Sequence, residues 1–126
     1  MGTFTTRIGV AASADGPFEE LEALVDSGAT YTLLPTSQLR RLGVEPVDRE
    51  AFLLADGRRI EREVGQVWVR IGDRVRMSVV VFGPDEGQPL LGAVTLEEFA
   101  LGIDTLRREL IRVPGYLVGL REEGDS

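Results

Sequence analysis

Asp26 stands in the run Ala23-Leu24-Val25-Asp26-Ser27-Gly28-Ala29-Thr30, where apolar residues deliver one carboxylate into a Ser-Gly turn. A backbone N–H at Gly28 aimed back at Asp26 would hold that carboxylate in one orientation. Glycine also reaches backbone angles closed to other residues. The Ser27 hydroxyl is placed to bond a neighbouring backbone group and lock the turn, and Ala29 leaves room for close packing. One such carboxylate is a weak catalyst. Two brought face to face cannot both ionise and hold one proton between them. The ionised member then serves as base towards a water, while the protonated member polarises a carbonyl. With one suitable aspartate per chain, the second must come from another chain, and an isologous dimer sets Asp26 opposite its own copy.

Composition removes most other chemistries. The 126 residues include no cysteine and no histidine. Disulfides, thiolate metal sites, Ser-His-Asp and Cys-His catalysis are therefore excluded, along with the commonest metal ligand. The remaining carboxylates are scattered, so neither a metal nor another cofactor is expected. The formal charge is −7, which argues against nucleic acid as a partner. All 14 basic residues are arginine. No run approaches the roughly 18 apolar residues of a membrane span. With no apolar signal core at the start, the expectation is a cytoplasmic protein without a membrane partner. The length fits one domain, 1–126, large enough to bury a core without staples.

The elements that must position Asp26 are mostly short strands. Residues 3–12 read as a strand, Ala14-Asp15-Gly16-Pro17 as a turn, and 18–25 as the returning strand despite the helix-like Glu19-Glu20-Leu21-Glu22. An apolar run over 31–34 ends at Pro35. Thr36 then has the character of an N-cap for a short helix over 37–42, stopped by Gly43. Residues 51–55 and 58–64 flank Asp56-Gly57 as a hairpin. Residues 66–71 alternate, with Val67, Val69 and Ile71 on one face. After Gly72-Asp73 the alternation continues through Val75, Met77, Val79 and Val81, and the added Val80 and Phe82 mark this strand as central. Thr95-Leu96-Glu97-Glu98 matches a capping box for a helix reaching about Leu101 and stopped by Gly102. A turn at Asp104-Thr105 precedes another strand, Pro114-Gly115 breaks it, residues 116–120 suggest a last strand, and 121–126 read as a frayed tail. Arg58, Arg59 and Arg62 alternate with Glu61 and Glu63 and read as a solvated face. Many short strands with two short helices predict an all-β fold of closed or sandwiched type.

The two halves echo one another. Leu24-Val25 to Gly28 and Thr36 in the first has its counterpart in Leu90-Leu91-Gly92 and Thr95 in the second, without the acid. Leu24-Val25-Asp26-Ser27-Gly28-Ala29-Thr30 resembles the active-site motif of the retropepsin-like aspartic proteases, Asp-Thr/Ser-Gly-Ala. Leu90-Leu91-Gly92-Ala93, followed by residues 95–100, resembles the second signature of that family, two apolar residues and a glycine leading into a helix. The similarity spans residues 5–112, the expected core. It implies a single-lobe acid-protease closed β-barrel that works as a homodimer on peptide or protein substrates. It carries over Asp26 as the catalytic acid and Ser27 as the tie between the two active-site loops across the dimer. It also implies that Gly28 orients the carboxylate, and that Leu90, Leu91 and Gly92 thread the supporting loop. The hairpin tip Ala55-Asp56-Gly57-Arg58 takes the place of the flap.

Two features depart from the retroviral pattern. Thr30 stands where those members usually carry an acid, and the tip Leu54-Ala55-Asp56-Gly57-Arg58-Arg59 is not glycine-rich. They keep a second reading open, a non-catalytic module that holds an extended peptide as an added strand beneath the Asp56-Gly57 hairpin. Residues 3–10 and 116–120 are the candidates for joining two copies.

Overall fold

The computed structural model describes residues 3–115. Strand β1 (Phe4–Ala11) pairs antiparallel with β2 (Glu19–Val25). Period-two burial decides this hairpin over a helix. Ala23 and Val25 turn into the core, while Glu20 and Glu22 turn out and meet Arg7 at 3.1 and 3.4 Å. Strand β3 (Thr32–Pro35) leads into α1 (Thr36–Arg41). Strand β4 (Asp48–Leu53) pairs with β5 (Arg59–Ile71), which returns through a tight turn into β6 (Arg74–Gly83). The two-residue β7 (Leu90–Leu91) precedes α2 (Ala93–Glu98). A separate antiparallel pair, β8 (Leu101–Asp104) and β9 (Glu109–Arg112), follows.

The main sheet runs β1-β2-β7-β3-β6-β5-β4, and an additional β1–β5 pairing returns it on itself. The pairings thus form a closed circuit with β4 outside, the mostly-β closed arrangement that the short-strand pattern predicts. Two pairings are parallel, β2 with β7 and β3 with β6. The buried core gathers Ile8, Val10, Val67, Val69, Val80 and Leu91 of the strands with Leu39 of α1 and the fully buried Phe99 after α2. Burying each such side chain contributes about 1.5–3 kcal/mol.

Several local expectations are corrected. Thr36 is not the cap of α1. Pro35 occupies that position, in extended conformation, because β3 pairs with β6 as far as Pro35 opposite Gly83. The Thr36 hydroxyl therefore donates to the Gly83 carbonyl at 2.7 Å. The free N–H of Ser37 is taken instead by Asp85 Oδ1, also at 2.7 Å, from a loop far along the chain. Nor do Thr95 and Glu98 form a capping box. The helix starts two residues earlier, after Gly92, and buries Thr95 completely. It ends at Glu98 rather than Leu101. Ala100, at φ 54°, reverses the chain, and Gly102 lies within β8.

The stretches 58–64 and 66–71 are one strand, since Gly65 continues the pairing with Val80. The far end of β6 is buried on both faces, at Val80, Val81 and Phe82, as expected of a central strand; in its first half Ser78 is buried, while Val75 and Met77 are exposed. Alternation gives the period but not its sign, and α2 covers the even-numbered face. Asp104 serves its turn, accepting the N–H groups of Leu106 and Arg107, each at 3.0 Å. Residues 116–120 and 121–126 lie outside the described residues.

Candidate active site

Asp26 is the first residue beyond β2. Two apolar residues bring it there because β2 needs them. Val25 points into the core, and Leu24 and Val25 pair with Leu90 and Leu91. The parallel pairing continues one step further, where the Asp26 N–H donates to the Leu91 carbonyl at 3.1 Å. The Gly28 N–H then donates to Asp26 Oδ1 at 2.9 Å, and the Ala29 N–H to the Asp26 carbonyl at 3.1 Å. Backbone and side chain of Asp26 are thus fixed by three amide contacts, and its half-buried carboxylate stays open on one side.

Two expectations about this turn change. Gly28 is not at positive φ. A Cβ there would crowd the candidate catalytic carboxylate, standing 3.2 Å from Asp26 Oδ1. Ser27 is exposed, and its hydroxyl makes no hydrogen bond among the described residues. The turn is locked by backbone amides instead.

The second motif is built against the first. Leu90 pairs with Leu33 on one side and Leu24 on the other, so the short β7 is wedged between two strands. Beyond it, Ala93 N–H donates to the Ala29 carbonyl at 2.8 Å and Val94 N–H to the Thr30 carbonyl at 2.9 Å. A helix leaves its first N–H groups without internal partners, and here the loop after Asp26 supplies acceptors. Thr30 is exposed, and it is its backbone that engages α2. The Gly92 N–H is bound by Thr32 Oγ1 at 3.0 Å.

The hairpin tip is separately braced. Asp56 accepts the Arg58 N–H at 3.0 Å and the Arg58 Nε at 2.8 Å, while Leu54 and Arg58 close the turn. These bonds hold the Asp56 carboxyl below the usual carboxylate range. Just below the tip, where it pairs with Ile60, Phe52 meets Tyr31 edge to face with ring centres 5.9 Å apart. The residue five positions after Asp26 therefore anchors the hairpin.

Asp26, Ser27 and Gly28 also border a groove of about 750 Å³ with a largely apolar wall that includes Phe4, Leu96, Leu101 and Ile103. Glu97 is the second carboxylate on this groove. The sequence had not marked this wall. Its residues come from the start of β1, from α2 and from β8, which only the fold gathers. Among the described residues no three His, Cys, Asp or Glu side chains gather as a metal set.

Residues 10–104 match the family model described as aspartyl protease. The chain belongs to the aspartyl protease family. The matched stretch contains both Asp26 and the Leu90-Leu91-Gly92 motif, and the enzyme class is that of an aspartic-type endopeptidase. Three solved structures share the fold of this family member. EIAV protease complexed with the inhibitor HBY-793 is 20% identical, with a TM-score of 0.58, over 78% of this chain and 88% of that one. A retropepsin-like aspartic protease from Rickettsia conorii is 23% identical, with a TM-score of 0.53, over 82% and 89%. Simian foamy virus (mac) protease is 18% identical, with a TM-score of 0.52, over 75% and 94%. No curated protein sequence matches the chain.

Proposed function

We propose that this aspartyl protease family member hydrolyses peptide bonds at a site completed by a second copy of the chain, with Asp26 of each copy facing the other. The observation that carries this reading is the placement of Asp26. It is held by Leu91 and Gly28, and it opens beside a largely apolar groove that carries no second aspartate among the described residues. A two-fold contact along the groove wall would cover Phe4, Leu101 and Ile103 and bring a second carboxylate to the first.

The chemistry follows from two carboxylates sharing one proton. The ionised Asp26 takes a proton from a water, whose oxygen attacks the peptide carbonyl. The protonated Asp26 of the other copy hydrogen-bonds the carbonyl oxygen and stabilises the charge that develops there. When the tetrahedral intermediate collapses, the leaving nitrogen takes the proton that the first Asp26 received from water and the C–N bond breaks, so both carboxyls return to their starting state and no covalent enzyme intermediate forms. The β4–β5 hairpin, anchored by the Tyr31–Phe52 contact, serves as the flap over an extended peptide.

Cleavage of a mixed peptide library from about pH 4 to 7, by wild type and Asp26→Asn in parallel, tests this reading. Cleavage by wild type alone supports it. Cleavage by both variants overturns it. Peptide retention without cleavage at any pH overturns it in favour of a binding module.

A further inference from the structure

Thr32, Ser78 and Thr95 are buried to within 1% of full burial, and they are the fully buried polar side chains among the described residues. They come from β3, β6 and α2 and meet one another. Thr32 Oγ1 lies 2.6 Å from Thr95 Oγ1, and Thr95 Oγ1 lies 2.8 Å from Ser78 Oγ. The chain of contacts starts at the Gly92 N–H, 3.0 Å from Thr32 Oγ1.

The direction of this chain follows from proton counting. A backbone N–H only donates, so Thr32 Oγ1 accepts from Gly92. The one Thr32 proton finds Thr95 Oγ1 as its acceptor. The Thr95 proton then goes to Ser78 Oγ, and the Ser78 proton to the Val79 carbonyl at 3.4 Å. Reversing the first link leaves the Thr32 proton, and reversing the second leaves the Thr95 proton, buried without a partner, at a cost of about 1–3 kcal/mol.

The position of Gly92 gives this chain its consequence. Its peptide lies between Leu91, whose carbonyl holds the Asp26 N–H, and Ala93 and Val94, whose N–H groups hold the Ala29 and Thr30 carbonyls. Rotation of the Gly92 peptide would loosen both grips on the turn that carries Asp26.

We propose that Thr32, Thr95 and Ser78 are positioning residues that fix the Asp26 carboxylate through the Gly92 peptide. The proposal rests on the endopeptidase reading for its kinetic consequence, but its structural consequence is measurable without activity. Thr32→Val keeps the side-chain shape and leaves the Gly92 N–H unpaired; Thr32→Ser restores the hydroxyl. In Thr32→Val, kcat is expected to fall about tenfold or more, since small misplacements of a reacting group are costly. KM should stay within about twofold of wild type, because the flap and groove are untouched. Thr32→Ser should recover most of kcat.

Two NMR measurements on the same variants need no substrate. Exchange of the Gly92 amide should quicken, and the Asp26 carboxyl carbon resonance should move, in Thr32→Val but not in Thr32→Ser. Ser78→Ala removes only the last hydroxyl and reads the same chain if Thr32→Val does not fold. Unchanged Gly92 exchange and an unchanged Asp26 carboxyl resonance in the folded variants overturn the positioning role, as does a loss of thermal stability with wild-type kcat. If wild type cleaves nothing while the NMR changes appear, the endopeptidase reading falls and the positioning role stands.

Discussion

The Gly92 Cα faces the Tyr31 carbonyl so closely that a Cβ there would lie 2.6 Å from both its carbon and its oxygen. The obstruction is backbone, fixed by the Ala29 and Thr30 hydrogen bonds before it and by Thr32, whose Oγ1 accepts the Gly92 N–H, after it. Gly92 is therefore a glycine because two loops touch there, not because of its backbone angles, which are φ −97° and ψ 178°. Gly92→Ala is expected to lower stability by about 1–3 kcal/mol, the usual cost of overpacking. It should also abolish most cleavage, because the displaced loop is the one that holds Asp26. Denaturant unfolding and peptide cleavage of one purified sample check both outcomes.

Asp26→Asn should lose catalysis by at least about a hundredfold, the lower range for removing an acid–base group. Two of the three contacts of residue 26 are backbone to backbone, and an asparagine Oδ1 can still accept the Gly28 N–H, so thermal unfolding should stay close to wild type. A matched circular dichroism melt separates loss of chemistry from loss of fold.

Subunit mixing tests the shared site directly. Wild type mixed with an equal amount of Asp26→Asn should retain about half the activity of its wild-type portion, because random pairing sends half of the wild-type chains into mixed dimers. Chains acting singly would retain all of it. Activity per mole of wild type should also rise with concentration as the dimer forms.

Acid stability should depend on the contacts between β2 and α1. The Glu19 carboxyl is held below its ordinary value of 4.5, first by its hydrogen bond to Arg41 and then by that to Gln38. The Asp85 carboxyl is likewise lowered by the Ser37 N–H. A carboxyl with a depressed folded-state pKa stabilises fully above its unfolded value, and that contribution is lost as pH falls through the folded value. Glu19→Gln should therefore melt earlier than wild type near neutrality, and the gap should close as pH falls below 4.5. A gap that widens on acidification would contradict this assignment. Both groups are at the surface, so added salt should narrow the gap as well.

Phe99 is fully buried at the end of α2, between the main sheet and the turn into β8. Phe99→Ala should cost about 3–5 kcal/mol, a large share of the stability of a small domain. Arg74 donates to the Phe99 carbonyl at 2.8 Å and should hold the helix end even in that variant. Denaturant midpoints for Phe99→Ala and the double variant with Arg74→Gln check the two contributions.

Much of this protein is legible in its sequence. Asp26-Ser27-Gly28, the Leu90-Leu91-Gly92 motif and their order along the chain are local patterns, and the matched family spans both. The strand alternation of 66–71 and the hairpins at Asp56-Gly57 and Gly72-Asp73 are also local, because side-chain period and turn chemistry act over a few residues. The sequence alone could not assign Thr95 to the core. A Thr followed three residues later by Glu carries a capping signal, and only the approach of β3 and β6 turns its hydroxyl inward to Thr32 and Ser78. Nor could it give Ser37 its distant cap at Asp85, the sign of the β6 faces, or the wall of Phe4, Leu101 and Ile103 beside Asp26. Each of these depends on contacts between residues far apart in the chain, which no short-range propensity encodes. Composition narrowed the available acid–base chemistry to carboxylates, tyrosines or arginine-perturbed groups. The parallel pairing of β7 with β2 decided which carboxylate is gripped, and how firmly.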